Sequence, residues 1–183
     1  MKVTPAAEIP EVLVLQPAVH EDARGFFLES WREEWVASLG IAARFVQDNQ
    51  SRSVQGTLRG LHYQMGSPQG KLVRVVSGEV FDVAVDLRRS SPTFGRTVSA
   101  GLSSENHRQL WIPPGFAHGF YVLSPSADLL YKCTTYYSPA NDRALRWDDP
   151  DLDIDWPLVG GCPPILSTKD AAAPRLRDAP TYP

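Results

Sequence analysis

A chain of 183 residues can bury one substantial core but not two, so residues 1–183 are expected to form a single domain. The net charge of −3, with no block of like charges, excludes a general nucleic-acid or membrane surface. No apolar run approaches the roughly 18 residues of a bilayer span, and the stretch from Met1 to Val12 lacks the apolar centre of a secretory signal, so a cytoplasmic protein is expected.

Along the chain, Glu11–Gln16 reads as a strand, followed by a polar turn at His20–Gly25. Ser30 with Glu33 three residues on resembles a capping box, which predicts a helix over Ser30–Leu39, with Trp31, Trp35 and Leu39 on its apolar side and Gly40 at its end. Strand-like runs then dominate: Arg44–Asn49, Thr57–Gln64, Lys71–Val76, Glu79–Leu87, Arg96–Ala100, Gln109–Ile112, His118–Leu123 and Leu129–Tyr137. Turn signals such as Ser77-Gly78, Ser91-Pro92 and Pro113-Pro114-Gly115 separate them, and the 16 prolines argue against long helices. Many short strands at this spacing imply a β-sandwich or barrel. The Pro-rich, acidic last forty or so residues are expected to wrap it, with Ser167 capping a short helix over Lys169–Ala173.

Chemistry concentrates on Thr57–Val76, read as a hairpin that carries Arg59, His62 and Lys71. Burying such groups without partners is costly, so their presence among apolar neighbours points to a site. His62 is the candidate acid/base group, because histidine alone titrates near neutral pH unperturbed. It needs a carboxylate to orient it, and Asp48, Asp82, Asp86 and Asp170 are all candidates. Tyr131 and Tyr137 share parity on their run and are candidates to point inward together. Arg24 and Arg59 are candidates for phosphate oxygens. Arg59 and His62, three apart, should face opposite sides of a regular strand, unless Gly60 allows a bulge. Metal-binding barrels of the cupin type use a His-x-His pair, a Glu and a further His. Here His62 is followed by Tyr63 and Gln64, and Pro113-x-Gly115-x-x-His118 supplies one more histidine, too few for a metal. Cys133 and Cys162 lack metal-ligand spacing and are expected as free thiols.

The segments FVQDNQS (45–51), LRGLHYQ (58–64), QGKLVRV (69–75), VFDVAVDL (80–87), SPTFG (91–95), QLWIPPGFAHGF (109–120), YKCT (131–134) and LSTKD (166–170) closely resemble the dTDP-4-dehydrorhamnose 3,5-epimerase family, in order over about residues 9 to 175. The resemblance implies an all-β fold, a cupin-type double-stranded β-helix (a jelly-roll barrel) with a few short peripheral helices. It also implies a homodimer that uses no metal and no cofactor and acts on a dTDP-sugar. Carried onto matching positions, it makes His62 the base, Asp170 its partner, Tyr131 the acid on the opposite face and Lys71 the cation beside the C4 oxygen. Arg24, Glu29, Gln47, Asp48, Asn49, Arg59, His118 and Lys169 match positions that hold the nucleotide sugar, and Tyr137 an aromatic that stacks on thymine. Asp142 stands where the family commonly has Glu, one methylene longer. The competing readings are an epimerase that inverts only C3 or only C5, a non-catalytic barrel that binds nucleotide sugars, and a metal-dependent cupin.

Overall fold

The structure, a computed structural model, describes residues 1–38, 40–41 and 44–183. Two antiparallel sheets face one another. The first contains, in spatial order, β1 (Lys2–Pro5), β2 (Leu13–Gln16), β10 (Gln109–Ile112), β7 (Lys71–Ser77), β12 (Ser126–Cys133) and β5 (Gln47–Val54). The second contains β13 (Asp142–Ala144), β6 (Leu58–Gln64), β11 (Phe116–Val122), β8 (Glu79–Asp86) and β9 (Thr97–Ser103). From β5 to β8 successive strands alternate between the sheets, the winding of the jelly roll that the sequence led us to expect. Among the described residues a separate two-stranded ribbon, β3 (Val19–Asp22) and β4 (Gly25–Leu28), pairs only with itself.

Among the described residues three apolar layers result. Val73, Val75, Leu110 and Leu129 of the first sheet meet Val80, Ala84, Phe116 and Phe120 of the second in the interior. The back of the second sheet, with Leu61, Val83, Val85 and Tyr121, is covered by Leu145, Leu152, Trp156 and Tyr182, so the C-terminal segment does wrap the barrel. Burial on both faces explains why β8 and β11 read as nearly continuous apolar runs rather than as an alternation. Leu15, Leu72 and Trp111 on the back of the first sheet are covered by Trp31, Ile41 and Phe45.

Several expected boundaries move. Helix α1 covers Glu33–Ser38, not Ser30–Leu39. Trp31 is drawn out of it to pack edge-on against Phe45 at 4.7 Å, the Ser30 carbonyl accepts from Gln109 Nε2, and Leu39 lies outside the described residues. The expected turn at His20–Gly25 is the β3–β4 ribbon, with Arg24 at its tip. The run Leu129–Tyr137 leaves the sheet after Cys133, and the strand expected at Arg44–Asn49 starts at Gln47 and continues to Val54. The largest change concerns Thr57–Val76. It is not a hairpin, because β6 and β7 lie in different sheets and the turn between them passes from one sheet to the other. His62 and Lys71 therefore face each other from opposite walls.

Gly60 resolves the parity conflict. His118 pairs with His62 and Phe120 with Arg59, two steps on β11 against three on β6, which is a bulge. Gly60 sits at φ 131°, where a Cβ would come within 2.5 Å of the Gly119 Cα, so glycine alone fits. The extra residue turns Arg59 to the same face as His62.

Candidate active site

At one end of the barrel the two sheets part around a cavity of about 370 Å³. His62, from the second sheet, lines it on one side; Lys71 and Tyr131, from the first, line it on the other. Asp170 takes the place that four carboxylates competed for. Its Oδ1 lies 2.6 Å from His62 Nε2, and its side chain is 3% exposed. Asp82 pairs instead with His118, Asp86 with Arg88 and Asp48 with Lys132. Asp170 is delivered by helix α2 (Thr168–Ala171), which Ser167 caps by accepting from the Asp170 N–H. Burial pushes the Asp170 carboxyl up, but hydrogen bonds from His62, Ser167 and the Gly60 backbone outweigh it and hold the group below its ordinary value. A carboxylate there accepts the Nε2 proton and leaves Nδ1, which no other hydrogen bond engages among the described residues, with a free lone pair.

Lys71 is buried, and its Nζ donates to the His62 carbonyl at 3.4 Å. Desolvation lowers its pKa against the opposing pull of Cys133, Asp82 and Asp142. A cation held with so few partners is poised to meet an anion that forms beside it. Behind His62 lies a second buried pair, His118 Nε2 at 3.0 Å from both Asp82 oxygens; desolvation pulls the His118 pKa down. Burial raises the pKa of Tyr131, which keeps its phenol protonated as an acid must be.

The mouth is polar. Gln47 donates through Nε2 to Asn49 Oδ1 and accepts from the Tyr137 backbone N–H at 2.9 Å. The Tyr137 hydroxyl donates to Asp142 Oδ2 at 3.0 Å, and Lys169 Nζ bonds to the same oxygen. Asp142 therefore occupies the cavity although it is shorter than the family's Glu. Among the described residues no three His, Cys, Asp or Glu side chains converge as metal ligands would.

Residues 6–178 match the family model for dTDP-4-dehydrorhamnose 3,5-epimerase. The chain belongs to that family. A Pseudomonas aeruginosa dTDP-4-dehydrorhamnose 3,5-epimerase is 54% identical over all of both chains, and one from Salmonella typhimurium is 55% identical over 93% of each. A Legionella pneumophila dTDP-6-deoxy-D-glucose-3,5-epimerase, solved with dTDP-4-keto-L-rhamnose, superposes with a TM-score of 0.94 at 54% identity, covering 98% of this chain and 94% of that one.

Not every position that the epimerase family implies reaches the cavity. His62, Lys71, Tyr131, Gln47, Asn49, Tyr137, Asp142 and Lys169 line it, and Asp170 and His118 stand directly behind. Arg59 does not line it; its Nε donates to Ser53 Oγ at 2.9 Å, and its charge works against the burial that raises the Tyr131 pKa. Asp48, by contrast, has the parity of the outer face and bonds Lys132. Arg24 and Glu29 are on or near the β3–β4 ribbon, paired with Asp22 and Arg32, and do not line this cavity. Tyr137 does reach the cavity, but from the loop after β12 and not by strand parity. Sequence reasoning passed over Gln64 and Gln69, which also line the cavity; Gln64 shares the parity of His62 two residues before, a signal that was there to use. Among the described residues no helix is long and apolar enough to cross a membrane.

Proposed function

We propose that this epimerase inverts C3 and C5 of dTDP-4-dehydro-6-deoxy-D-glucose to give dTDP-4-dehydro-L-rhamnose. The two carbons flank the C4 ketone, so loss of either proton places the carbanion's charge on that oxygen as an enolate. His62 Nδ1 takes the proton, and Asp170 stabilises the resulting imidazolium. Lys71, backed by His118, stabilises the oxyanion, commonly the largest single contribution in such reactions. Tyr131 returns a proton from the opposite side, which inverts the centre; solvent then reprotonates the phenolate and removes the proton from His62. The inversion needs no redox cofactor, since no electrons leave the substrate. The observation that carries this reading is that His62 and Tyr131 line one cavity from opposite sheets.

The same reading takes residues 1–183 as one domain that works as a homodimer. Phe26 and Phe27 on the β3–β4 ribbon are 61% and 70% exposed, and Arg24 and Glu29 stand away from this chain's cavity. An exposed aromatic ribbon beside residues that match sugar-nucleotide-binding positions, yet do not line this chain's cavity, fits a second copy, whose cavity Arg24 and Glu29 would complete. A cytoplasmic setting is supported by Cys133 and Cys162, both free thiols.

The test is hydrogen exchange in deuterated water, followed by NMR. Both C3 and C5 should exchange with the wild type, and neither with His62→Ala. Tyr131→Phe should still exchange protons but yield little inverted sugar. Exchange at one carbon only would refute double inversion, and dTDP binding without exchange would leave a binding protein.

A further inference from the structure

We infer that Gln64 is a positioning residue which holds the Tyr137 loop over the cavity and so sets the affinity for the nucleotide. This rests on the reading above that Tyr137 contacts the base. Gln64 is 3% exposed and lies on β6 two residues beyond His62, on the same face. Its Oε1 accepts the Ser138 backbone N–H at 2.6 Å, and its Nε2 donates to the carbonyls of Ser67 at 3.1 Å and Tyr136 at 3.2 Å. One acceptor and two donors meet one N–H and two carbonyls, the pattern of a neutral primary amide. A carboxylate has no donor, and a thioether has no donor and only a weak acceptor, so Glu and Met both break the match.

With all three groups committed inside the chain, Gln64 has nothing left to offer a substrate. Its action is on the loop of residues 134–141. Tyr136 and Ser138 flank Tyr137 directly, and the Tyr137 side chain is otherwise tied down only through Asp142 among the described residues, its backbone by Gln47. Asp142 is itself the register partner of Gln64 on β13. The strand that carries the proposed base thus also fixes the aromatic at the far end of the cavity. Without the clamp the loop would gain conformations that binding must remove again.

The test is calorimetric titration with dTDP, together with steady-state kinetics, on the full chain. Gln64→Met should weaken dTDP binding and raise KM by about tenfold to a hundredfold, the worth of the two hydrogen bonds lost to the loop at Tyr136 and Ser138, while kcat falls far less. In a Tyr137→Ala background the same change should add less than about threefold, because the two residues act on one contact. Gln64→Glu supplies a second variant: it keeps the Ser138 bond, and its affinity should recover as falling pH protonates the carboxyl and restores a donor. The inference is overturned if Tyr137→Ala weakens dTDP while Gln64→Met and Gln64→Glu do not, or if the two effects multiply independently. If Tyr137→Ala itself leaves dTDP binding unchanged, the nucleotide contact falls and this inference falls with it.

Discussion

Replacing Asp170 by Asn removes one charge with almost no change in shape, so it isolates what the carboxylate does for His62. At an Nε2–Oδ1 separation of 2.6 Å, unit charges attract by about 6 kcal/mol at an effective dielectric of about 20. His62 is 34% exposed, and screening on that side reduces the gain to about 3 kcal/mol, comparable to the upper range for a charge-assisted hydrogen bond. Lost from the imidazolium-forming step, that is a factor of about 10² in kcat. An amide can also present its NH₂ to Nε2, which moves the ring proton to Nδ1 and removes the lone pair that should accept the substrate proton. With the wrong tautomer populated, the loss grows to about 10³–10⁴. Exchange of the C3 and C5 hydrogens into deuterated water at saturating substrate reads the step directly, with dTDP affinity as the control for folding. Retention of more than a tenth of the wild-type exchange rate, with dTDP binding intact, would refute the dyad.

Mixing His62→Ala with Arg24→Ala subunits should restore up to about a quarter of the wild-type activity per site if Arg24 completes the other copy's cavity; equal inactivity of the mixture and of the separate variants would count against an exchanged ribbon. Asp86 is buried, and although desolvation pushes its carboxyl up, hydrogen bonds from Arg88, Ser91 and Thr93 bring it down to about 2. Its folded-state pKa is depressed, so its contribution of about 2 kcal/mol is fully present above pH about 4 and lost as the pH falls through about 2. The gap in denaturation midpoint between wild type and Asp86→Asn should therefore be constant from pH 5 to 7 and shrink below pH 4. Gly60→Ala should cost more than about 3 kcal/mol, because a Cβ would overlap the Gly119 backbone; a urea midpoint close to wild type would show that the bulge is not as tight as described.

The amino-acid sequence by itself determined a β-sandwich or barrel of short strands, because strand-like runs and their punctuation by Pro and Gly are local properties, and the family resemblance narrowed this to a cupin-type barrel. It also determined His62, Lys71, Tyr131 and Asp170 as candidates, since long motifs in register carry residue identity. Spacing by itself could not say which carboxylate meets which histidine, and only the family resemblance named Asp170 for His62: Asp170 is 108 positions from His62 and Asp82 is 36 from His118, separations that only packing closes. Nor could it say that β6 and β7 part into different sheets, because a turn of Gly, Ser and Pro serves a hairpin and a crossover equally well. Strand parity failed for Arg59, where the bulge at Gly60 resets it, and for Tyr137, which lies beyond the strand's end. Those outcomes depend on what packs against each strand, and the tertiary structure alone decided them.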